Sequence, residues 1–263
     1  MDTIPIYQVD AFTDGLFGGN PAAVCILERW LPKETLQNIA SENNLSETAF
    51  LVKNQQGFDL RWFTPSVEVD LCGHATLASA HVLFNHLEHP GSEVIFSSRS
   101  GILKAANDGS YISLDFPSDP VEAIDAVPGL LEAFGIKEAE TFRGKTDLML
   151  VVKNEDTVHS LSPNFHDLGK LQVRGVIVTA PGDKVDFVSR FFAPASGIDE
   201  DPVTGSAHCT MTPYWSARLG KTNLTANQVS SRGGKLQCQL NGDRVKLSGR
   251  AVTYLIGAIS VPT

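Results

Sequence analysis

The sequence predicts an α+β chain of two similar halves, each a strand-rich sheet wrapped around one prominent helix. Three observations carry that expectation. Two stretches nearly repeat: Arg61-Trp62-Phe63-Thr64-Pro65 leads through Asp70 to Cys72-Gly73-His74-Ala75, and Arg190-Phe191-Phe192-Ala193-Pro194 leads through Asp199-Glu200-Asp201 to Thr204-Gly205-Ser206-Ala207. Each is followed by an echo, Ser97-Ser98-Arg99-Ser100-Gly101-Ile102-Leu103 in one half and Ser230-Ser231-Arg232-Gly233-Gly234-Lys235-Leu236 in the other. Each glycine then opens an apolar pattern at helical spacing, set among short strand-like runs. A period of about 130 residues is far longer than the ~20–50 of a solenoid repeat and suits two facing domains.

The elements follow in order. Residues 4–9 and 22–27 read as strands around the turn-rich Gly15 to Pro21. Pro32 opens a helix in which Leu36, Ile39 and Ala40 form an apolar stripe, and Asn43-Asn44 breaks it. Strands are expected at 46–52 and 58–63. From His74 the period changes, with Leu77, Ala80, Phe84 and Leu87 at steps of three and four, which predicts a helix. Strands follow near 93–97, 102–105 and 111–116, and Phe116-Pro117-Ser118-Asp119-Pro120 reads as a linker. The second half brings a short helix at 128–134, strands near 148–152, 174–179 and 185–192, a helix from Ser206 to Leu219 stopped by Gly220, and strands to the end. The predicted domains are 1–117 and 118–263, with the last strand a candidate for packing back on the first domain.

Bulk properties narrow the function. A chain of 263 residues has core enough for two domains. A net charge of −9 with scattered basic residues argues against a nucleic-acid surface. No run approaches the ~18 apolar residues of a membrane helix, and the N-terminus lacks a basic-then-apolar signal. Cys25, Cys72, Cys209 and Cys238 are widely spaced without a CxxC pair, which predicts reduced thiols in a cytoplasmic protein. No glycine-rich phosphate fingerprint supports a nucleotide cofactor.

The repeated element points to a site for a small acid. Gly73 and Gly205 stand where strand becomes helix, and a helix N-terminus offers unpaired N–H groups and partial positive charge to a carboxylate. Two such termini facing one cleft would hold an anion from both sides; the plainer reading is a pair of tight turns with Ser206 as a cap. Asp70, Cys72 and His74 in one copy, and Asp199, Glu200, Asp201 and His208 in the other, supply acid/base groups near neutral pH. A zinc or iron site competes, without HxH, HExxH or CxxC spacing to support it. Cys72 at a helix start is a candidate nucleophile, but the matching position holds Thr204. His81, His86 and His89 read as packing or solvated residues, and Arg61 and Arg190 as structural ion-pair partners.

Several blocks together resemble the PhzF-like family, named for the phenazine-biosynthesis isomerase. They are Gly19-Asn20-Pro21-Ala22-Ala23-Val24, Ser46-Glu47-Thr48-Ala49-Phe50, the two Arg-to-Gly stretches, Glu200 to His208, and Ser230-Ser231-Arg232-Gly233-Gly234. The resemblance runs from end to end. It implies the diaminopimelate-epimerase-like fold, an active site in the interdomain cleft, a homodimer, and catalysis on a small carboxylic acid without metal or organic cofactor. It also implies that Glu47 is the catalytic acid/base, a residue composition and spacing do not select, and that His74, Asp201 and Ser206 join it. The founding member's substrate, trans-2,3-dihydro-3-hydroxyanthranilate, is the first candidate. Two other classes stay open: a thiol-dependent racemase or epimerase, and a small-carboxylate binding protein without chemistry.

Overall fold

The computed structural model describes residues 2–125 and 127–261. The chain forms two compact units. The first runs up to Asp115 and takes the chain again from Ser248; the second is Phe116–Leu247. The final strand, grouped with residues 118–263 on sequence, counts with the first unit because it pairs along its length with the first strand, Thr3 opposite Ser260 and Ala11 opposite Ala251.

Up to Pro117 the order is β1 (Asp2–Ala11), β2 (Asn20–Leu27), α1 (Lys33–Asn43), β3 (Glu47–Lys53), β4 (Phe58–Phe63), β5 (Glu68–Val69), α2 (Gly73–His86), β6 (Glu93–Ser98), β7 (Gly101–Asn107) and β8 (Ile112–Pro117). There follow β9 (Glu122–Ala123), α3 (Leu130–Phe134), β10 (Glu140–Arg143), β11 (Asp147–Val151), α4 (Glu155–His159), α5 (Phe165–Leu168), β12 (Gly175–Pro181), β13 (Phe187–Ala193), a 3₁₀ turn (Pro194–Ser196) and β14 (Ile198–Asp201). The chain closes with α6 (Gly205–Leu219), β15 (Asn223–Gln228), β16 (Gly234–Asn241), β17 (Arg244–Gly249) and β18 (Ala251–Val261).

The same pairing scheme is built twice. In the first unit β2 lies parallel to β3, β3 antiparallel to β4, β4 parallel to β6 and β6 antiparallel to β7. In the second, β11 lies parallel to β12, β12 antiparallel to β13, β13 parallel to β15 and β15 antiparallel to β16. Thr48 pairs with Phe63, and Val176 with Phe192, so Glu47 and Gly175 hold equivalent places. Their parallel partners are Ala22 and Asp147.

Helix ends follow the local chemistry. Pro32 precedes α1 with φ near the helical value its ring enforces, and Asn44 ends it in the left-handed region at φ 49°. Gly220 does the same for α6 at φ 67°. The central helices depart from the amphipathic expectation: nine of fourteen residues in α2 and nine of fifteen in α6 are buried. A helix wrapped by sheet has no wet stripe. Small residues line it, and the hydroxyls turn inward on the helix itself, Ser79 donating to the Ala75 carbonyl and Thr76 to that of Cys72. Pro213 sits inside α6. Its missing N–H would orphan the Cys209 carbonyl four residues back, and the Asp119 N–H takes that acceptor at 3.2 Å.

Leu36, Phe50 and Phe63 anchor one core cluster of the first unit, and Leu150, Val178 and Phe192 one of the second. Among the described residues no helix is long and apolar enough to cross a membrane.

Candidate active site

In the first unit three elements begin at one place. Asn20 opens β2, Glu47 opens β3, and His74 is the second residue of α2. Gly19 makes that entry possible: its φ is +62°, and a Cβ there would stand 2.1 Å from the Ala11 carbonyl oxygen. His74 Nε2 lies 3.1 Å from Glu47 Oε2, with the two side chains 5% and 13% exposed. Both atoms are sealed from solvent, and neither makes a hydrogen bond of good geometry. The other ring nitrogen, Nδ1, faces the Asn20 amide at 3.2 Å and Cys72 Sγ at 3.5 Å. The imidazole therefore bridges a thiol and a carboxylate.

Charge follows from that setting. Burial pulls the His74 imidazolium down, but hydrogen bonding to the Cys72 sulfur at Nδ1 and the Glu47 carboxylate at Nε2 outweigh it and hold the group well above its ordinary 6.5. Cys72 is pushed up to about 11 by burial and by the Glu47 carboxylate, with His74 opposing. A thiol held there is protonated at neutral pH, so the lowered pKa expected of a helix-start cysteine is not what this environment produces. One donor atom each from Glu47, Cys72 and His74 lies within 4.8 Å of the others, so this group has the reach to hold an ion.

In the second unit the matching helix start is furnished differently. Arg174 immediately precedes β12 and donates from Nη2 to Ser206 Oγ at 3.0 Å. A guanidinium only donates, so the Ser206 oxygen accepts here and its own proton points elsewhere. Arg174 is anchored on buried Asp147, donating through Nε at 2.9 Å and also through Nη2, and it lies over the Phe191 ring. Asp201 receives the Thr204 hydroxyl at 2.5 Å. Gln228 braces both, donating to the Asp201 carbonyl at 2.7 Å and accepting from the Thr204 N–H at 2.9 Å. Ser206 is not the cap of α6: Thr204 holds that place, and neither Thr204 nor Cys72 at the start of α2 makes a side-chain capping bond.

The structure brings Glu47 and His74 together with Gly73, and in the second unit Ser206 lies next to Gly205 with Asp201 held by Thr204. Asp70 is exposed, its side chain 73% accessible with Arg99 at 3.8 Å. His208 is fully buried, its Nδ1 on the Thr204 carbonyl at 2.8 Å. Arg61 and Arg190 are structural forks, each gripping a glutamate, Glu68 and Glu200, through Nε and Nη2. His81 and His86 both meet the Thr253 hydroxyl, at 2.9 and 2.7 Å. The sequence reading missed Asn20, Arg174, Asp147 and Gln228 as supports. Asn20 lay in a resembling block, while nothing local marks Arg174 or Gln228, because their partners come from 24 or more residues away.

Comparison with known proteins converges. The family model described as phenazine biosynthesis-like protein matches residues 9–257. An uncharacterized isomerase of Pseudomonas aeruginosa is 51% identical over 256 residues, 97% of this chain and 98% of that protein. The crystal structure of a phenazine biosynthesis protein of the PhzF family from Enterococcus faecalis superposes with a TM-score of 0.96 at 50% identity, covering 99% of this chain and all of that one. A hydroxyproline epimerase from Agrobacterium vitis shares the architecture, with a TM-score of 0.68 at 12% identity over 98% of this chain and 91% of its own. The fold is the diaminopimelate-epimerase-like α+β fold.

Proposed function

The chain belongs to the phenazine biosynthesis-like protein family, and from that premise we propose that it is a cofactor-independent isomerase of a small carboxylic acid, with Glu47 moving a proton at carbon. The observation that supports this most is the sealed approach of Glu47 Oε2 to His74 Nε2 at 3.1 Å, with neither atom spent on a well-formed hydrogen bond. A carboxylate needed only for stability would have its lone pairs occupied.

In this reading Glu47 takes a proton from the substrate carbon and returns it at another. Exclusion of bulk water strengthens the electrostatic interactions around the carboxylate. The His74 imidazolium, held charged by its neighbours, stands beside the carboxylate and offsets negative charge that develops on the substrate. Asp201, fixed by Thr204 and Gln228, is assigned with His74 to hold the substrate and share its charge while Glu47 moves the proton. Ser206, whose oxygen is taken by Arg174, keeps a proton to donate to an anionic oxygen. The first-turn N–H groups after Gly73 and Gly205 are assigned to the carboxylate. The protein is expected to work as a homodimer in a reducing cytoplasm; its four free cysteines are all buried, and sedimentation equilibrium tests the dimer.

The test is proton NMR of trans-2,3-dihydro-3-hydroxyanthranilate in D₂O with wild type and Glu47→Gln. Isomerisation with deuterium entering the ring, lost in the variant, supports the proposal; turnover by a folded Glu47→Gln removes it. Should wild type leave this compound unchanged, a library of small carboxylates is screened by the same exchange signal. Binding without exchange across that library would favour the non-catalytic clamp. A thiol-dependent racemase would need a thiol in each unit. The Thr204 hydroxyl that matches Cys72 is spent on Asp201, and the Cys72 thiol is held protonated. Full turnover after Cys72→Ala would discard that mechanism.

A further inference from the structure

The serine–arginine echo that follows each central helix in the sequence has a contact in the structure that the site above does not use. In the first unit it forms the turn from β6 to β7 and reaches back to the lead into α2. Ser100 donates from Oγ to the Asp70 carbonyl at 2.8 Å. Arg99 sets Nη2 2.9 Å from Glu68 Oε2 and Nη1 3.8 Å from Asp70 Oδ1. Glu68 is sealed, its side chain 1% exposed, and Arg61 already grips it through two nitrogens. At the helix end of the lead, the Thr76 N–H and hydroxyl both hold the Cys72 carbonyl, at 3.1 and 2.6 Å. The second unit holds the same backbone atom with a different serine. Ser230 Oγ donates to the Pro202 carbonyl at 2.8 Å, and Pro202 stands three residues before Gly205 as Asp70 stands three before Gly73. In the echo Ser230 aligns with Ser97, whereas Ser100 aligns with Gly233. A bond merely inherited by duplication would keep its serine; one made again from another position marks the carbonyl as what has to be held.

We propose that Arg99 and Ser100 are positioning residues: the β6–β7 turn clamps the Glu68–Asp70 lead and so sets where Cys72 and His74 stand relative to Glu47. Their side chains meet Glu68 and Asp70, so they act on the site through the backbone. Cys72 Sγ lies at one ring nitrogen of His74 and Glu47 at the other. A lead that drifts carries Cys72 away from Nδ1 and frees the ring to turn from Glu47. A misplacement of about 1 Å in reacting groups can cost about 10²-fold in rate. That consequence for turnover rests on the isomerase reading; the clamp itself does not.

Timed iodoacetamide labelling of the native full chain, read at each cysteine by mass spectrometry, tests the clamp without any substrate. All four thiols are buried, so each reacts only when its surroundings open. In Arg99→Gln and in Ser100→Ala the Cys72 rate is expected to rise about three- to tenfold, the scale of one hydrogen bond, while Cys25 in β2 keeps its wild-type rate. A loss of overall stability would speed both thiols alike, so a Cys72-to-Cys25 ratio equal to wild type in both variants overturns the clamp. Should Ser100→Ala not fold, Arg99→Gln, whose side chain is half exposed, is judged alone. Once deuterium exchange into a substrate is in hand, both variants are expected to lose kcat by a similar factor with KM unmoved. An unchanged kcat beside a raised labelling ratio overturns the consequence for turnover alone. A wild-type chain that exchanges nothing refutes the isomerase reading, and the labelling ratio still decides the clamp.

Discussion

Glu47 opens β3 and Gly175 opens β12 at matching registers, the first opposite Ala22 and the second opposite Asp147. The two surroundings share their supports. Each has an arginine fork on a glutamate, and each has a side chain at the fourth helical residue, Thr76 or His208, bonded to the carbonyl four residues before it. They part at the strand-opening position. A Cβ on Gly175 would stand 2.3 Å from the Phe191 ring, so the second copy has no room for a carboxylate there. Instead it holds a fixed pair, Arg174 and Asp147, beside Ser206. One scaffold has thus been furnished once with a buried carboxylate–imidazole pair and once with an anchored arginine–aspartate pair. The lesson is that duplicated supports mark corresponding places, while the broken symmetry marks where their furnishing differs.

That contrast can be broken at several points. The largest effect is expected from Glu47→Gln, which should cut deuterium exchange into a substrate by at least about 10²-fold while the chain stays folded. His208 comes next. Burial holds its folded pKa at about 4, below the ordinary 6.5, so on acidification the unfolded chain takes up the proton first. Its contribution is therefore complete above pH 6.5 and lost as pH falls towards 4, a change of about 3 kcal/mol. Urea unfolding across that window should show the slope, and His208→Thr, the residue of the other copy, should flatten it. Gly175→Ala should destabilise the second unit by about 1–3 kcal/mol through overpacking against Phe191, read by the same unfolding curves. The smallest change is expected for Asp201→Asn, a loss of about tenfold in turnover, the scale of one good hydrogen bond; a loss matching that of Glu47→Gln would show that both copies carry protons.

Much of this was legible in the sequence for physical reasons. Pro32 and Asn44 announced the ends of α1, and Gly220 the end of α6, because only certain backbones fit those angles. The repeated arginine stretches announced the duplication because the Arg–Glu forks are local, within ten residues. What stayed hidden depends on distance or brevity. The strands β9, β10 and β14 and helices α4 and α5 span two to five residues, too short to show a period. Glu47 looked like an ordinary surface acid before a strand; its burial against His74 comes from a residue 27 positions on, and it was named through family resemblance rather than pattern. Arg174 carried no signal at all, since its role needs Asp147 and Ser206 on either side of it in the chain.

The pairing of β1 with β18 has a temporal meaning. Thr3 finds Ser260 and Ala11 finds Ala251, so the sheet of the first unit is completed by a strand made after the whole of the second unit. Closing so long a loop costs little more entropy than closing a short one, but it delays the reward, and sheets built from distant pairings form slowly. The second unit, continuous from Phe116 to Leu247, can fold as soon as it emerges. The half that bears Glu47 and His74 must wait with one strand edge open until β18 has been made.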